Sequence, residues 1–319
     1  MDSTTRRQLL AEIASLYYTE RKTQSQIGKS FGYSRSAISR MISEAEETGI
    51  VEITIKHPIK REPSAERRLR EKYNLEAAFV INPGSTSYQN TLQILGRAGA
   101  MFLEQLLKDN MTIGIGWGTS VSEVVKALNS MPLNNVRVVQ VIGSVGGRSD
   151  PLVDGPGVAS SLATRLNASY FILHSPVYLD SIEVCKTLKM QKQIAETLKE
   201  GLNSNITLLG IGTVEIDPLF SSIFRSGFMD EQEIQTLRQQ GGLVNFCGLI
   251  LDQEGRILEN EVNQRAMTVD LACLRANGSK MIGIAAGVKK SGAIEAVLKG
   301  NWLDVLITDS AAVQPILDQ

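Results

Sequence analysis

The chain has 319 residues, of which 43% are hydrophobic and 21% charged. This composition excludes a fibrous or disordered chain, and the length accommodates two domains. The net charge of −1 hides an asymmetry, because residues 1–61 carry ten Lys and Arg against seven Asp and Glu, leaving 23 against 27 for the remainder. A basic N-terminal segment on an acidic body is typical of a small DNA-binding unit attached to a unit with another task.

The cysteines and histidines indicate neither disulfide, metal nor catalytic chemistry. Cys185, Cys247 and Cys273 are odd in number and lack metal-ligand spacing, which fits a reducing compartment, and His57 and His174 stand alone. We therefore predict no metal site, no cofactor and no catalytic residue. Apolar runs stay well below the roughly 20 residues that cross a bilayer, and the N-terminus is polar. A cytoplasmic protein without a membrane partner is expected.

Two helical patterns open the chain. Residues 5–20 place one apolar stripe along a first helix, formed by Leu9, Leu10, Ile13, Leu16 and Tyr17. Thr23 and Gln26 then have the spacing of a capping box, in which each side chain bonds a backbone N–H that the helix start leaves unpaired. Gly32 can adopt the positive φ that ends this second helix.

The third helix carries a polar, basic outward face. Ser34 caps it, and the residues predicted to face inward are Ala37, Ile38, Met41, Ile42 and Ala45. The outward positions are Arg35, Ser36, Ser39, Arg40 and Ser43. A helix-turn-helix places such a face in the major groove, where Arg35, Ser36, Ser39 and Arg40 would read bases while Gln24, Gln26 and Tyr33 contact phosphates. The alternative is a small helical bundle whose polar face is only solvated.

A winged variant of this motif is predicted from the next residues. Gly49 closes the third helix, and residues 51–55 alternate like a short strand. Because His57 and Pro58 break that strand, we place the domain boundary there, with a DNA-binding domain at 1–58 and a second domain at 59–319. Residues 60–74 form a charged helix that is interpreted as a connector with a solvated face.

The second domain alternates strands with helices. Apolar runs occur at 77–81, 111–116, 136–143, 169–174, 205–212, 280–287 and 304–309, and helical stretches at 88–109, 119–130, 156–167, 190–201, 230–240 and 290–299. Continuous apolar strands with intervening helices predict an α/β fold with a mostly parallel sheet covered on both faces. One hairpin, at 244–258 with its turn at 253–255, interrupts this order.

Glycine-rich loops at the predicted strand ends suggest a ligand pocket, because ligands of open α/β sheets bind at the carboxyl ends of the strands. Gly116, Trp117, Gly118, Thr119 and Ser120 lead from a strand into a helix, so they could hold a phosphate or form only a structural turn. This loop lacks the Lys of a nucleotide-hydrolysing loop and the full dinucleotide-binding pattern.

Three more glycine-bearing loops, at 143–148, 210–213 and 286–290, are expected at the same edge of the sheet. They add Gly143 and Lys290 as candidate ligand contacts, although Lys290 could equally be a surface lysine. Asn245, beside the hairpin, could bind a sugar hydroxyl. Arg148 and Arg225 are weaker candidates for a second anionic group.

In these motifs the chain resembles the SorC family of bacterial sugar-responsive transcriptional regulators. The resemblance covers the helix-turn-helix and the segments GWGTS (116–120), VQVIG (139–143), LLGIGT (208–213), CGLILDQEG (247–255) and residues 285–312. It implies an effector domain related to sugar-phosphate isomerases and deaminases but used for sensing, in a homo-oligomer that is a dimer or tetramer. By position, Gly116, Gly118, Thr119 and Ser120 match the family's phosphate loop and Lys290 the lysine of its GGxxK turn.

The chain departs from that family pattern at two places. Val244 and Asn245 replace the usual Gly-Asp pair, and Ala286 and Gly287 replace the Gly-Gly pair before Lys290. The first departure bears on the sugar-hydroxyl contact, so the resemblance does not identify the sugar.

The sequence thus predicts a DNA-binding transcriptional regulator of carbohydrate metabolism, whose affinity for double-stranded operator DNA is controlled by a phosphorylated sugar or related metabolite. The alternative is a sugar-phosphate isomerase or deaminase with an appended DNA-binding domain. A regulator that has lost ligand binding is a third possibility. Against the enzyme stands the lack of a histidine and carboxylate set in the predicted strand-end loops, since general acid/base work needs a titratable group within reach of the substrate.

Overall fold

A computed structural model describes residues 3–51, 59–145 and 153–318. The chain divides into two compact units, Met1–Pro58 and Ile59–Gln319. Most of the wing strand predicted for 51–55, together with His57 and Arg148, lies outside the described residues.

The first unit consists of three helices around a small apolar core. Its helices are α1 (Ser3–Ala14), extended by a π-helical turn at Ser15–Thr19, α2 (Gln24–Phe31) and α3 (Arg35–Glu47). The core contains Leu10, Ile13, Ala14, Ile27, Ile38, Met41, Ile42 and Ala45. Of the five side chains predicted to face inward from α3, four are therefore buried, and Ala37 is half-buried.

The predicted caps are confirmed. The Thr23 N–H donates to Gln26 Oε1 at 2.9 Å, and the Gln26 N–H donates to Thr23 Oγ1 at 3.3 Å. Gly32 ends α2 with a φ of +71°, and Ser34 Oγ accepts from the Ala37 N–H at 3.2 Å. The turn is tight, because a Cβ on Gly28 would lie 2.6 Å from the Tyr33 carbonyl oxygen, so Gly28 must have no side chain.

The second unit is built on a parallel sheet in the strand order β1-β9-β8-β5-β2-β3-β4. Its parallel strands are β1 (Ala77–Ile81), β2 (Thr112–Ile115), β3 (Arg137–Gln140), β4 (Ser169–Phe171), β5 (Ile206–Thr213), β8 (Lys280–Ile284) and β9 (Val305–Asp309). All seven predicted strands are confirmed, and two apolar cores cover the two faces of the sheet. The carboxyl ends of the strands consequently meet at one edge.

The helices of this unit are α4 (Pro63–Tyr73), α5 (Tyr88–Leu106), α6 (Thr119–Ala127), α7 (Gly155–Leu166), α8 (Ile182–Lys189), α9 (Lys192–Leu202), α10 (Ser222–Arg225), α11 (Glu231–Gln239), α12 (Glu261–Gln264), α13 (Leu271–Ala276), α14 (Ser291–Lys299) and α15 (Ser310–Leu317). The six predicted helices correspond to α5, α6, α7, α9, α11 and α14. Helices α8, α10, α12, α13 and α15 were not predicted, because they are short and lack a long periodic pattern.

Helix α4 is an integral part of the second unit, so its interpretation as a connector was wrong. Glu66 is buried and accepts hydrogen bonds from Arg61 Nε and Nη2, both at 2.7 Å, and from the Val80 N–H at 3.0 Å. This carboxylate joins the start of α4 to β1. Arg68 and Lys72 donate to carbonyl oxygens in the last turn of α15, where cations are favourable next to unpaired carbonyls.

The predicted turn at 253–255 is present and brings Leu251 and Ile257 into an antiparallel bridge, but a tighter hairpin turn that precedes it was not predicted. Strands β6 (Val244–Phe246) and β7 (Leu249–Leu251) are antiparallel, and β6 also pairs with the end of β5. The two-residue turn is Cys247 and Gly248, both with positive φ (+52° and +78°), as a type I′ turn requires. At the predicted position, Asp252 Oδ1 accepts from the Glu254 and Arg256 N–H groups in a second reversal after β7.

Candidate functional site

The loop between β2 and α6 leaves the start of a helix open to a ligand. Gly118 has a φ of +124°, which side-chain-bearing residues rarely adopt, and it stands at the cap position of α6. Having no side chain, Gly118 cannot cap, so no side chain at the cap position satisfies the first N–H groups of α6. An open helix N-terminus with the positive end of its dipole favours an anion.

This loop lines a cavity of about 580 Å³ at the carboxyl edge of the sheet. The other walls come from the end of β5, the segment before α10, the tip of the β6–β7 hairpin and the turn before α14. Six of the seven predicted effector contacts line this cavity, namely Gly116, Gly118, Thr119, Ser120, Asn245 and Lys290. The remaining wall residues are Trp117, Ile142, Leu209, Gly210, Ile211, Gly212, Leu219, Phe220, Ser222, Arg225, Cys247 and Gly248.

Gly143, the seventh predicted effector contact, does not line the cavity but lies behind its wall. Its carbonyl oxygen accepts a 2.7 Å hydrogen bond from Trp117 Nε1. A Cβ at this position would lie 2.5 Å from the Pro176 carbonyl oxygen. Gly143 therefore serves close packing and holds the Trp117 ring in place.

Lys290 is a buried cation that forms no ion pair with a carboxylate in the part of the chain that the structure describes. Only 8% of the residue is exposed, and Nζ donates to the Ile211 carbonyl oxygen at 2.6 Å. Burial, with a smaller effect of the Arg225 charge, lowers the pKa of Lys290 to about 8. Its neighbour Lys289 is exposed and paired with Asp217 at 2.8 Å, so the two lysines have different environments.

Arg225 adds a second cation at the mouth of the cavity. Its Nη1 donates to the Pro218 carbonyl oxygen at 3.2 Å. Among the described residues, neither Arg225 nor Lys290 has an ion pair with a carboxylate. An anion entering the cavity would therefore meet two positive charges that no described acidic side chain neutralises.

Part of the wall had no signal in the sequence. Leu219 and Phe220 come from an irregular segment before α10, and the Phe220 ring packs against Tyr88 with centroids 5.0 Å apart. Cys247 and Gly248 reach the cavity because the hairpin turn lies there. These apolar and small residues are outside any periodic pattern, so only the chain path in three dimensions brings them to the site.

The described wall offers little for acid/base catalysis. It contains neither a histidine nor a carboxylate, and burial raises the pKa of the Cys247 thiol to about 12. His174 lies in a separate groove between β4 and α9. The described residues also contain no group of three or more His, Cys, Asp and Glu that could hold a metal ion.

The outward face of α3 forms a second candidate site in the first unit. Gln24, Arg35, Ser36, Ser39 and Arg40 line one shallow concave surface, which we call the α3 groove. All five were predicted as DNA contacts, and they place two cations next to hydroxyl and amide groups.

The other two predicted DNA contacts lie outside the α3 groove. Gln26 uses its Oε1 in the capping box, which leaves the amide nitrogen as a donor. Tyr33 is half-buried and packs against the core of the first unit.

Comparison with known proteins agrees with this architecture. Residues 57–318 match the family described as "Putative sugar-binding domain". The chain belongs to the SorC family of transcriptional regulators. The deoxyribonucleoside regulator of Bacillus subtilis (strain 168) is 29% identical over 318 residues, covering 98% of each chain. The sorbitol operon regulator of Klebsiella pneumoniae is 27% identical over 316 residues, covering 97% of each chain.

A solved structure shows the same fold over both units. The crystal structure of the full-length sorbitol operon regulator SorC from Klebsiella pneumoniae has a TM-score of 0.73 and 25% identity, covering 98% of this chain and 99% of that one. All three of these relatives are named as regulators. No helix of the described residues is long and apolar enough to cross a membrane.

The buried Lys290 predicts a pH-dependent affinity for anions. Since an anion binds the protonated ammonium and the free group titrates at about 8, sulfate affinity should be constant at lower pH and fall about tenfold between pH 7 and 9. Sulfate is the probe because its own charge does not change in this range. The measurement is isothermal titration at each pH.

Lys290→Met should bind sulfate weakly, and its affinity should not fall between pH 7 and 9. Lys289→Met replaces the exposed neighbour and should keep this pH dependence. An unchanged pH dependence in Lys290→Met would show that another group titrates.

Proposed function

We propose that this regulator reads operator DNA with the α3 groove and binds a phosphorylated sugar or related metabolite in the cavity of its second unit. One observation carries the proposal. The start of α6, which its own cap residue leaves open, lies in one cavity with Lys290 and Arg225, and neither cation has an ion pair among the described residues. The same chain also has a helix-turn-helix. Membership of the SorC family supports both halves.

The chemistry of the cavity favours a phosphate with hydroxyl groups attached. The phosphate would occupy the start of α6, where the backbone N–H groups, the Thr119 and Ser120 hydroxyls and the Lys290 ammonium can donate to its oxygens. Asn245 and Ser222 supply neutral polar groups for hydroxyls.

We further propose that the site senses its ligand rather than transforming it. The described cavity wall lacks the histidine or carboxylate that an isomerase or deaminase would use as a base, and the relatives are regulators. Turnover of a sugar phosphate by the purified protein would favour the enzyme instead.

Control of DNA binding requires two arrangements of the protein that differ in affinity for the effector. An effector shifts DNA affinity only by as much as it binds one arrangement better than the other. We propose that the protein is a dimer or tetramer, in which effector binding changes how the DNA-binding units are presented to operator half-sites. Two-fold symmetry would give half-sites separated by whole helical turns.

The effector proposal predicts stabilisation by phosphorylated sugars. The panel is ribose 5-phosphate, fructose 6-phosphate, glucose 6-phosphate, sorbitol 6-phosphate and erythritol 4-phosphate, each with its unphosphorylated form as control. At least one phosphorylated member should raise the Tm at concentrations above its Kd, since a ligand that binds only the folded state stabilises it.

Thr119→Val removes one hydroxyl group that would donate to the phosphate. The affinity for the stabilising sugar phosphate should therefore fall roughly tenfold or more. Thr236→Val, on the exposed side of α11, should leave the affinity unchanged. If no phosphorylated sugar raises the Tm more than its unphosphorylated form does, the proposal of a phosphate site is wrong.

The proposed DNA contacts predict that Arg35 and Arg40 each contribute to DNA affinity and to sequence preference. Replacing either by Ala should cost about 1–3 kcal/mol of binding to a DNA sequence that the protein selects from a random pool, and should relax the preference at one base position. Fluorescence anisotropy with the selected and the altered sequence measures both effects.

Arg7→Ala removes the same charge from an exposed position of α1 outside the α3 groove, and should leave the sequence preference intact. Unchanged preference in both α3 variants would remove these arginines from base readout.

A further inference from the structure

Asn245 lies at the cavity wall with only one end of its side chain engaged. The residue is 8% exposed, and its Nδ2 donates to the Tyr178 hydroxyl oxygen at 2.8 Å. The Tyr178 hydroxyl in turn donates to the Gly248 carbonyl oxygen at 2.9 Å. Tyr178 is itself 9% exposed, so this chain of hydrogen bonds is shielded from water.

Counting hydrogens fixes the orientation of the Asn245 amide. The Gly248 carbonyl can only accept, so it takes the single hydrogen of the Tyr178 hydroxyl. The hydroxyl oxygen must then accept its second hydrogen bond, and only the amino end of Asn245 can donate it. A flipped amide would place two acceptor oxygens against each other.

The carbonyl end of Asn245 is consequently left for the cavity. No described residue donates to its Oδ1, and Asn245 is one of the residues that line the cavity. An amide oxygen that faces a cavity and has no protein donor can accept a hydrogen bond from a ligand, so this atom favours a donor group on the effector.

We propose that Tyr178 is a positioning residue that holds the Asn245 carbonyl towards the effector, and that the cavity therefore selects an anion with a hydroxyl group at this position. This inference rests on the proposed function and narrows the class of effector. A second phosphate, a carboxylate or a carbonyl facing Asn245 would meet Oδ1 as acceptor against acceptor. The hydroxyl-bearing end of a singly phosphorylated sugar or polyol satisfies it.

The hydrogen-bonded chain is held rigidly, which suits a specificity element. Asn245 pairs with Gly212 in the β5–β6 ladder, and Gly248 is fixed in the positive-φ turn. The Tyr178 ring packs edge-on against Phe228, with centroids 5.8 Å apart. Because these groups are already ordered, little conformational entropy is lost when the effector binds.

The experiment is a double-mutant cycle on the full-length protein with Tyr178→Phe, Asn245→Ala and the double variant. The probes are the tightest-binding sugar phosphate of the panel above and sulfate, which carries the anionic charge without hydroxyls. Tyr170→Phe, at the exposed edge strand β4, is the matched control. Calorimetry gives the affinities, and sulfate binding with the Tm of the free protein reports whether each variant is folded.

Each single variant should bind the sugar phosphate roughly threefold to tenfold more weakly, as expected for one neutral hydrogen bond, while sulfate affinity stays the same. Because Tyr178 acts through Asn245, Tyr178→Phe should have no further effect in the Asn245→Ala background. A purely structural role of Tyr178 would instead weaken sulfate and sugar phosphate alike.

Three results would overturn the inference. The first is an unchanged sugar-phosphate affinity in Tyr178→Phe, and the second is an equal loss of affinity for sugar phosphate and sulfate. The third is a further loss of affinity when Tyr178→Phe is added to Asn245→Ala. In all three the wild-type protein still binds the sugar phosphate more tightly than sulfate, so the proposed function survives. If the wild-type protein shows no such preference, the proposed function fails first and the inference fails with it.

Discussion

The central physical constraint is the burial of the Lys290 ammonium, which donates to a carbonyl oxygen and forms no ion pair with a described carboxylate. Removing a charge from water is unfavourable unless it is paired, and a single carbonyl dipole compensates only part of that loss. This unpaired charge lies where β5 and β8 end, in the same cavity as the start of α6. In the proposed function, an anionic ligand supplies the partner that these groups lack.

The inserted hairpin converts this anion site into a more selective pocket. Without β6 and β7, the carboxyl edge of the sheet would offer an open phosphate cradle that any phosphate ester could enter. The turn at Cys247 and Gly248 closes one side, and Asn245 adds a neutral acceptor that Tyr178 orients. In the proposed site, charge would supply affinity at one end of the cavity, and directed hydrogen bonds would supply selectivity at the other.

Local rules predict the parts of this protein that depend on nearby residues. Thr23, Gln26 and Ser34 form the expected caps because capping needs only residues within one helical turn. The parallel strands were found because each is a continuous apolar run. Tyr178, Glu66 and Gly143 could not be assigned, since their partners lie 70, 14 and 26 residues away in sequence. The hairpin turn was missed because residues 252–255 carry the stronger turn composition, whereas Cys247 adopts positive φ in spite of its side chain.

The proposed regulation requires that ligand binding in the cavity changes the DNA affinity of the protein, which a single titration tests. DNA affinity of the full-length protein is measured by anisotropy with and without a saturating sugar phosphate, for wild type and Lys290→Met. A severalfold change in wild type that is absent in the variant is the predicted result, and by reciprocity the DNA should change the effector affinity by the same factor. Equal DNA affinity with and without bound effector in wild type would contradict it.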